Sequence, residues 1–187
     1  MKKFKLTSEF IVDISGVKLF RIKALIEFGN VKAGDLGGYI EKEENLSHMG
    51  NAWVFGDARV SGNARVSGNA RVSGDAQVFG DARVSGNAQV FGDAQVSGNA
   101  RVFGDARVFG NAWVSGDKDY AYAHGFGSCN RTTTFFRLKD GDVGVRCGCF
   151  YGTLAQFRDN VCETHGETKK AQEYLMLADL MDFRFKN

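Results

Sequence analysis

The sequence contains no proline, only four cysteines and no long apolar run in its 187 residues. Without proline, tight corners must be built from Gly, Asn and Asp, which accept turn conformations. Four cysteines in a chain of this length do not indicate a disulfide scaffold, and we expect them to be reduced. No run approaches the roughly 18 apolar residues of a membrane span, and the charged first residues lead into no signal-peptide core. We therefore expect a cytoplasmic protein.

An excess of one charge sign is also missing. The chain has 24 Lys and Arg against 22 Asp and Glu, a net charge of +2. So small an excess gives no strong field towards nucleic acid or anionic lipid. We expect neither nucleic acid nor a membrane among its partners.

Residues 51–116 repeat one six-residue phrase eleven times, without insertion or loss. The phrase is Asn/Asp-Ala-x-Val-Ser/Phe-Gly, where x is Arg, Gln or Trp. Ala and Val lie two positions apart, as on the buried face of a strand, and Gly with Asn or Asp then forms a corner. No single phrase can bury its own Ala and Val, so the phrases must coil and stack around a common core.

This pattern resembles the hexapeptide repeat of the left-handed parallel β-helix, a triangular prism with three phrases in each coil. The resemblance implies a mainly β fold built as a single-stranded parallel solenoid. A flatter coil of two phrases is the alternative. It is favoured by the twelve-residue spacing, which gives one edge Asn at five of six positions and the other edge Asp at five of six. Of the two, we favour the triangular coil.

Residues 34–47 form the lead-in to the repeats and read Gly-Asp-Leu-Gly-Gly-Tyr-Ile-Glu-Lys-Glu-Glu-Asn-Leu-Ser. This lead-in, followed by Asn-Ala-x-Val phrases, resembles a group of small, largely uncharacterised hexapeptide-repeat proteins carried by phages, prophages and bacteria. The resemblance implies a phage accessory protein that works in the host cytoplasm. It carries no activity with it.

We divide the chain into an N-terminal cap over 1–50, the repeats over 51–116 and a C-terminal domain over 117–187. The cap is predicted to contain a β-hairpin and a first degenerate coil, because Ile40 and Leu46 stand six residues apart. An open solenoid end is an unpaired edge that must be covered.

The C-terminal domain is predicted to have a ββαα order. Asp140 and Gly141 mark the turn of its hairpin, and the first helix opens with a capping box from Thr153 to Gln156. Gly166 closes this helix, and a second helix follows to about residue 183.

An arginine ladder follows if the coil has eighteen residues. Arg65, Arg83 and Arg101 then stand one above another at the strand spacing of about 4.8 Å. Such a ladder attracts an anion or the carboxylates of a partner, and the alternative is a merely solvated face.

A phenylalanine column forms on another face of the same coil. Phe55, Phe91 and Phe109 align there, and exposed aromatic columns are unusual on a monomer. We expect this column to join subunits of a homo-oligomer, and a trimer would suit a triangular prism.

Residues 125–134 hold the best candidate for ligand binding. Glycines let backbone N–H groups face a ligand, hydroxyls and an arginine donate to an anion, and a phenylalanine can stack on a base. The candidate residues are Phe126, Ser128, Asn130, Arg131, Thr132, Thr133 and Thr134. They suit phosphate or a nucleotide-like anion. The alternative is that the three threonines only form a strand.

Other chemistries have weaker support. Cys147 and Cys149 are weak metal candidates, because zinc sites usually have a second, matching pair. Acyltransferases with this prism commonly use a His and a loop between coils, but residues 49–123 contain no His and the repeats no inserted loop. Ice-binding solenoids display ranks of Thr, and the repeats contain none. We expect no catalytic residue, no metal and no cofactor.

The sequence therefore predicts a non-catalytic, oligomeric binding protein. The solenoid is its scaffold, and the C-terminal domain captures a small anionic or nucleotide-like ligand or a protein partner. The phage resemblance extends this to anti-defence by sequestration of a host nucleotide signal. A purely structural solenoid and a hexapeptide-type acyltransferase are the alternatives.

Overall fold

The computed structural model of the chain describes residues 1–128 and 130–186. Before the repeats it has three strands and one 3-10 helix: β1 Phe4–Val12, β2 Lys18–Ala24, β3 Leu36–Ile40 and the 3-10 helix Glu43–Asn45. Strands β1 and β2 form the predicted antiparallel hairpin, in which Val12 lies opposite Lys18. Strand β2 also pairs with β3, so the hairpin is joined to the first coil.

Each of the eleven phrases forms a two-residue strand. These strands are β4 Trp53–Val54, β5 Arg59–Val60, β6 Arg65–Val66, β7 Arg71–Val72, β8 Gln77–Val78, β9 Arg83–Val84, β10 Gln89–Val90, β11 Gln95–Val96, β12 Arg101–Val102, β13 Arg107–Val108 and β14 Trp113–Val114. Each strand from β4 to β11 pairs in parallel with the strand eighteen residues further on, as Val72 does with Val90. A coil therefore contains three phrases, which confirms the triangular cross-section.

Three parallel sheets form the sides of the solenoid, which makes about four turns. We call them the first sheet (β4, β7, β10, β13), the second sheet (β5, β8, β11, β14) and the third sheet (β6, β9, β12). The second sheet continues into β3, β2 and β1. Ile40 lies opposite Val60 and Leu46 opposite Val66, so the degenerate first coil is also confirmed.

The interior of the solenoid consists of the repeated Ala and Val side chains, all at most 1% exposed. Each buried Val stabilises the fold by about 1.5 kcal/mol or more. The corners need glycine: Gly86, for example, has a φ of +69°, and a Cβ on it would lie 2.9 Å from the backbone nitrogen of Gly104. The repeated Gly is thus required by both the backbone angle and the close stacking of the coils.

Backbone hydrogen bonds between coils run mainly in one direction. The N–H of the x residue of a phrase donates to the carbonyl seventeen positions further on, as Arg83 does to Ala100 at 2.8 Å, and the N–H groups of Asn or Asp and of Ser or Phe do the same in most phrases. The Val N–H of a parallel pair points back instead, because alternate residues of a strand bond to opposite neighbours. The first coil therefore presents mainly carbonyl groups at the N-terminal end, and the last coil presents mainly N–H groups at the other. One end needs mostly donors and the other mostly acceptors.

The N-terminal cap supplies donors. Backbone N–H groups of the lead-in donate to the first coil, as Tyr39 does to the Ala58 carbonyl at 2.9 Å. Two buried side chains complete the cap: Lys3 Nζ donates to the Ala52 carbonyl at 2.8 Å, and Asn45 Nδ2 donates to the Ala64 carbonyl at 2.9 Å.

Acceptors come from the C-terminal part. Three side-chain oxygens accept N–H groups of the last coil: Asp117 from Arg101 at 2.8 Å, Asp119 from Ser115 at 2.8 Å and Thr134 from Arg107 at 2.9 Å. The side chains that close the solenoid are thus donors at the N-terminal end and mainly acceptors at the C-terminal end, where the Tyr120 hydroxyl also donates to the Arg101 carbonyl.

The C-terminal part is an antiparallel sheet followed by two helices. Its elements are β15 Tyr120–Phe126, β16 Arg131–Arg137, β17 Val143–Cys147, β18 Phe150–Thr153, α1 Leu154–His165 and α2 Lys169–Phe185. The predicted hairpin is β16 with β17, and a turn after Cys147 divides the predicted return strand in two. The capping box of Thr153 and Gln156 is present, and Gly166 ends α1 with a φ of +56°.

The C-terminal sheet is packed on both faces. Phe136 and Leu138 extend the solenoid core, whereas Phe135 packs with the helices against Phe157 and Tyr174. Alternate residues of β16 therefore face the solenoid and the helices. Neither described helix is long and apolar enough to cross a bilayer.

Replacing Thr134 with Val is expected to destabilise the fold by about 1–3 kcal/mol, because the isosteric side chain leaves the part-buried Arg107 N–H without its acceptor. Thr132→Val, on the same strand but half-buried, is the matched control and is expected to cost less than about 0.5 kcal/mol. Urea unfolding measures both, and equal losses would contradict the capping role of Thr134.

Burial lowers the pKa of Lys3 from 10.5 to about 8. The folded state therefore binds fewer protons than the unfolded state between these values, so the contribution of Lys3 to stability rises as the pH increases through this window. Below pH 8 the full cost of burying the charge is present. We expect Lys3→Met to remove a rise of about 2 kcal/mol between pH 8 and 10.

Unfolding curves of the wild type and of Lys3→Met at both pH values measure this difference. Lys5→Met, at an exposed position of β1 two residues further on, is the control and should follow the wild-type pH dependence. A Lys3→Met variant that keeps the wild-type slope would contradict a buried, charged Lys3.

Candidate functional site

A cleft of about 270 Å³ lies between the C-terminal sheet and the helices. Arg131 at the start of β16, Ser128 in the loop before it and the turn after Cys147 form one side. Asn160 and His165 of α1 contribute to the other side. None of the described residues that line the cleft is an Asp or Glu, so Arg131 gives it a positive character.

Arg131 contacts the turn between β17 and β18. Its Nη1 lies 2.7 Å from the place that a Cβ on Gly148 would occupy, and Gly148 has a φ of +59°. Glycine at 148 therefore leaves room for the guanidinium. Among the described residues, no carboxylate oxygen comes within 4.0 Å of the side-chain nitrogens of Arg131. Its N–H donors are thus available to a ligand.

Aromatic side chains fix the shape of the cleft. The Tyr174 hydroxyl accepts a hydrogen bond from the Ser128 backbone N–H at 3.2 Å, which joins the loop to α2. Burial raises the pKa of the Tyr174 phenol, so this group stays neutral at physiological pH. The His165 ring stacks on Tyr174 with 5.8 Å between ring centroids.

Four of the predicted ligand residues divide between two spaces beside the start of β16. Arg131 and Ser128 line the cleft, whereas Asn130 and Thr132 line a neighbouring recess of about 290 Å³ beside Arg107. Arg131 borders both spaces. The Thr132 hydroxyl lies 3.0 Å from His124 Nδ1.

Three other predicted ligand residues lie outside this grouping. Phe126 is exposed at the end of β15. Thr133 and Thr134 are buried; the Thr133 hydroxyl donates to Cys147 Sγ at 3.1 Å, and the Thr134 hydroxyl caps the solenoid. Because these two hydroxyls are used within the protein, we leave Thr133 and Thr134 out of the site proposed below.

The sequence reasoning missed the helical side of the cleft. Phe157, Asn160, Val161 and Thr164 line it from one face of α1, at spacings of three and four residues. That spacing was visible in the sequence, but nothing local shows that this face lies opposite Arg131. Tyr174 comes from the second helix and was not among the predicted site residues.

The arginine ladder lies on the third sheet as the eighteen-residue coil predicts. Arg65 pairs with Arg83, and Arg83 pairs with Arg101. All three side chains are exposed, and no carboxylate oxygen of the described residues lies within 4.0 Å of their nitrogens. On the other two sheets Gln or Trp interrupts the arginines, so the third sheet has the longest unbroken column.

A recess of about 670 Å³ lies over the N-terminal half of the ladder. Arg65 and Arg83 contribute to its lining, together with Glu43, Glu44 and His48. The Lys2 ammonium lies 2.8 Å from Glu43, and this hydrogen bond lowers the Glu43 pKa, so the carboxylate stays charged. Because the recess combines both signs of charge, an anion gains less here than at Arg131.

The phenylalanine column aligns on the first sheet side, but the chain itself partly covers it. The rings of Phe91 and Phe109 have centroids 4.5 Å apart, and Tyr151 of β18 packs edge-on against Phe109 at 4.6 Å. Arg146 also lies over the Phe109 ring. Phe55 is half-buried against the solenoid core. A subunit contact through this column stays a prediction.

Cysteine and histidine side chains are dispersed. Cys147 is half-buried beside Thr133, and Cys149 is exposed in the turn that follows. Cys129 lies outside the described residues. Within the described part of the chain, no three His, Cys, Asp or Glu side chains are grouped as metal ligands would be. His48 stacks on Phe4 at the N-terminal end, with 4.3 Å between ring centroids.

The coil geometry defines the class: the chain is a β-solenoid repeat protein. A family model described as the YdcK beta solenoid repeat matches it at residues 58–74, 64–78, 76–92, 94–107 and 100–116. All these ranges fall within the repeats, so the match identifies the scaffold and not the terminal parts. The lead-in is outside the match, and its phage resemblance stays a prediction. Among curated proteins, no match is found.

Arg83→Gln is expected to stabilise the fold by up to roughly 1 kcal/mol at low ionic strength. It removes the charge that lies between Arg65 and Arg101, each about 4.8 Å away along the sheet, and so relieves the repulsion with both. High salt should abolish the gain. Arg71→Gln is the matched control, since Arg71 lies between Trp53 and Gln89. Thermal unfolding at low and high salt compares the two, and equal effects would show that the ladder stores no repulsion.

Proposed function

We propose that this protein is a non-catalytic binding protein that captures a small anion in the cleft at Arg131. The solenoid is the rigid scaffold, and the C-terminal part carries the recognition site. The observation that carries the proposal is the Arg131 guanidinium, which meets no carboxylate among the described residues and borders a cleft without acidic lining. A guanidinium in this setting favours bidentate binding of phosphate or carboxylate.

The size of the cleft limits the ligand. A volume of about 270 Å³ lies just below the usual range of ligand pockets. It accommodates a phosphate or a small carboxylate, with the Asn160 amide and the Thr164 hydroxyl as further polar partners. A nucleotide would place one phosphate here and leave much of its remaining surface outside. Sequestration of a nucleotide signal, as in phage anti-defence, therefore needs contacts beyond this cleft.

A second candidate function is a purely structural role for the solenoid. The observation that favours it is the continuous Ala and Val core with both ends capped by hydrogen bonds. The arginine ladder would then be a weak, salt-sensitive contact for an acidic partner surface, since exposed ion pairs each contribute little.

Isothermal titration with inorganic phosphate, pyrophosphate and AMP tests the anion site. We expect Arg131→Ala to weaken binding at least tenfold, because a charge-assisted pair of hydrogen bonds is lost. Arg131→Lys should recover part of the affinity, since it restores the charge without the planar fork.

Arg107→Gln is the matched control for the neighbouring recess, since Gln already occupies this place in three of the repeats. It should leave binding unchanged. Native mass spectrometry of the purified protein would also reveal a co-purifying ligand. If all three probes bind Arg131→Ala as tightly as the wild type, the assignment of the site to Arg131 is wrong.

A further inference from the structure

The outer face of α2 has three exposed apolar side chains in one stripe. Met176, Leu180 and Phe183 are 71%, 55% and 73% exposed. Their spacing of four and three residues places them on one side of the helix. We call them the outer stripe.

The core face of α2 lies on the opposite side. Its buried residues are Ala171, Tyr174, Ala178, Met181 and Phe185. A helix that packs on one side only normally presents a polar outer face. By contrast, α1 places Asp159 and Glu163 at exposed positions. Contiguous exposed apolar side chains of this kind mark interaction surfaces.

We propose that the outer stripe is the contact between two copies of this chain, with their α2 helices antiparallel across a twofold axis. Residues 176 and 183 are equally distant from the middle of the stripe, so an axis there sets Met176 against Phe183 of the second copy. Leu180 then lies next to its own symmetry mate. Such a contact is self-complementary and closes as a dimer.

The charges beside the stripe support the antiparallel pairing. Glu173 and Arg184 are eleven residues apart, about three helical turns, and so lie along the same edge of the stripe. The midpoint between Glu173 and Arg184 lies within one residue of the midpoint of the stripe. The same twofold axis therefore brings Glu173 of each copy opposite Arg184 of the other, which gives two ion pairs. Each makes one bond within its own chain, to the Gly127 N–H and the Asp117 carbonyl, and keeps further bonding capacity.

Two other occupants fit the surface less well. An anionic membrane is favoured less, because the three carboxylates of α2 (Glu173, Asp179 and Asp182) balance its three basic side chains (Lys169, Lys170 and Arg184), so the helix has no positive excess. The phenylalanine column is partly covered by Tyr151, so it offers a second copy less free apolar surface than the outer stripe does.

Light scattering and sedimentation equilibrium on the full chain test the proposal. The wild type should show twice the 20.5 kDa of one chain at about 100 μM. Leu180→Glu should weaken the dimer at least roughly a hundredfold, because it buries a carboxylate in the contact. Circular dichroism and the melting temperature should show that the exposed substitution leaves the fold intact.

A charge-exchange series tests the antiparallel arrangement. Arg184→Glu should weaken the dimer about tenfold, since it sets two carboxylates against each other. The double variant Glu173→Arg, Arg184→Glu should return to within a few fold of the wild-type affinity. Recovery of this kind distinguishes a paired contact from a general loss of solubility.

The controls are Ala155→Glu, at an exposed position of α1, and Phe91→Ser, in the phenylalanine column. Both variants should remain dimeric. A wild-type monomer at about 100 μM would overturn the proposal. So would a dimer that survives Leu180→Glu, or one that Phe91→Ser dissociates. Binding of the wild-type monomer to phosphatidylserine vesicles would assign the stripe to a lipid surface instead.

Discussion

The directional backbone hydrogen bonding between successive coils is the constraint on which the rest of the structure depends. In most phrases three N–H groups donate towards the C-terminal end, and the carbonyls that accept them point back. The two ends therefore differ chemically, much as the two ends of an α-helix do. Lys3 and Asn45 donate at one end, and Asp117, Asp119 and Thr134 accept at the other. The terminal parts could not exchange places, because each supplies the hydrogen-bonding groups that its own end requires.

Strand β16 connects this requirement to the proposed function. Successive side chains of a strand point to opposite faces, so Thr134 meets the last coil while Thr133 and Phe135 face the helices. Arg131 begins the same strand and borders the cleft. The proposed recognition site therefore begins on the same strand that caps the solenoid, which fixes the position of the Arg131 backbone. Such fixed placement reduces the entropy lost on binding.

The repeat predicted the solenoid well because the same short pattern occurs eleven times, and each copy has only one way to bury its Ala and Val. The degenerate coil at Ile40 and the capping box at Thr153 follow from local spacing. The eighteen-residue coil was instead predicted from the resemblance to hexapeptide-repeat proteins, since the spacing of Asn and Asp also fitted a twelve-residue coil. The cleft could not be predicted in this way, because its walls come from a strand, a turn and two helices that meet only in the folded chain. The burial of Thr133 and Thr134 depends on what covers each face of β16. The outer stripe of α2 was missed because a helical pattern gives no indication of which apolar face lacks a partner.

Because the coil repeats every eighteen residues, the solenoid can change in length without any change in the way its two ends are capped. Loss or duplication of three consecutive phrases would move the two caps by one strand spacing, about 4.8 Å, and leave their rotational relation unchanged. A change of one or two phrases would instead turn the C-terminal sheet by a third of a revolution and set Thr134 over the wrong side of the prism. Evolution can therefore adjust the distance between the lead-in and the cleft in whole coils, whereas intermediate lengths would break the fit at the acceptor end.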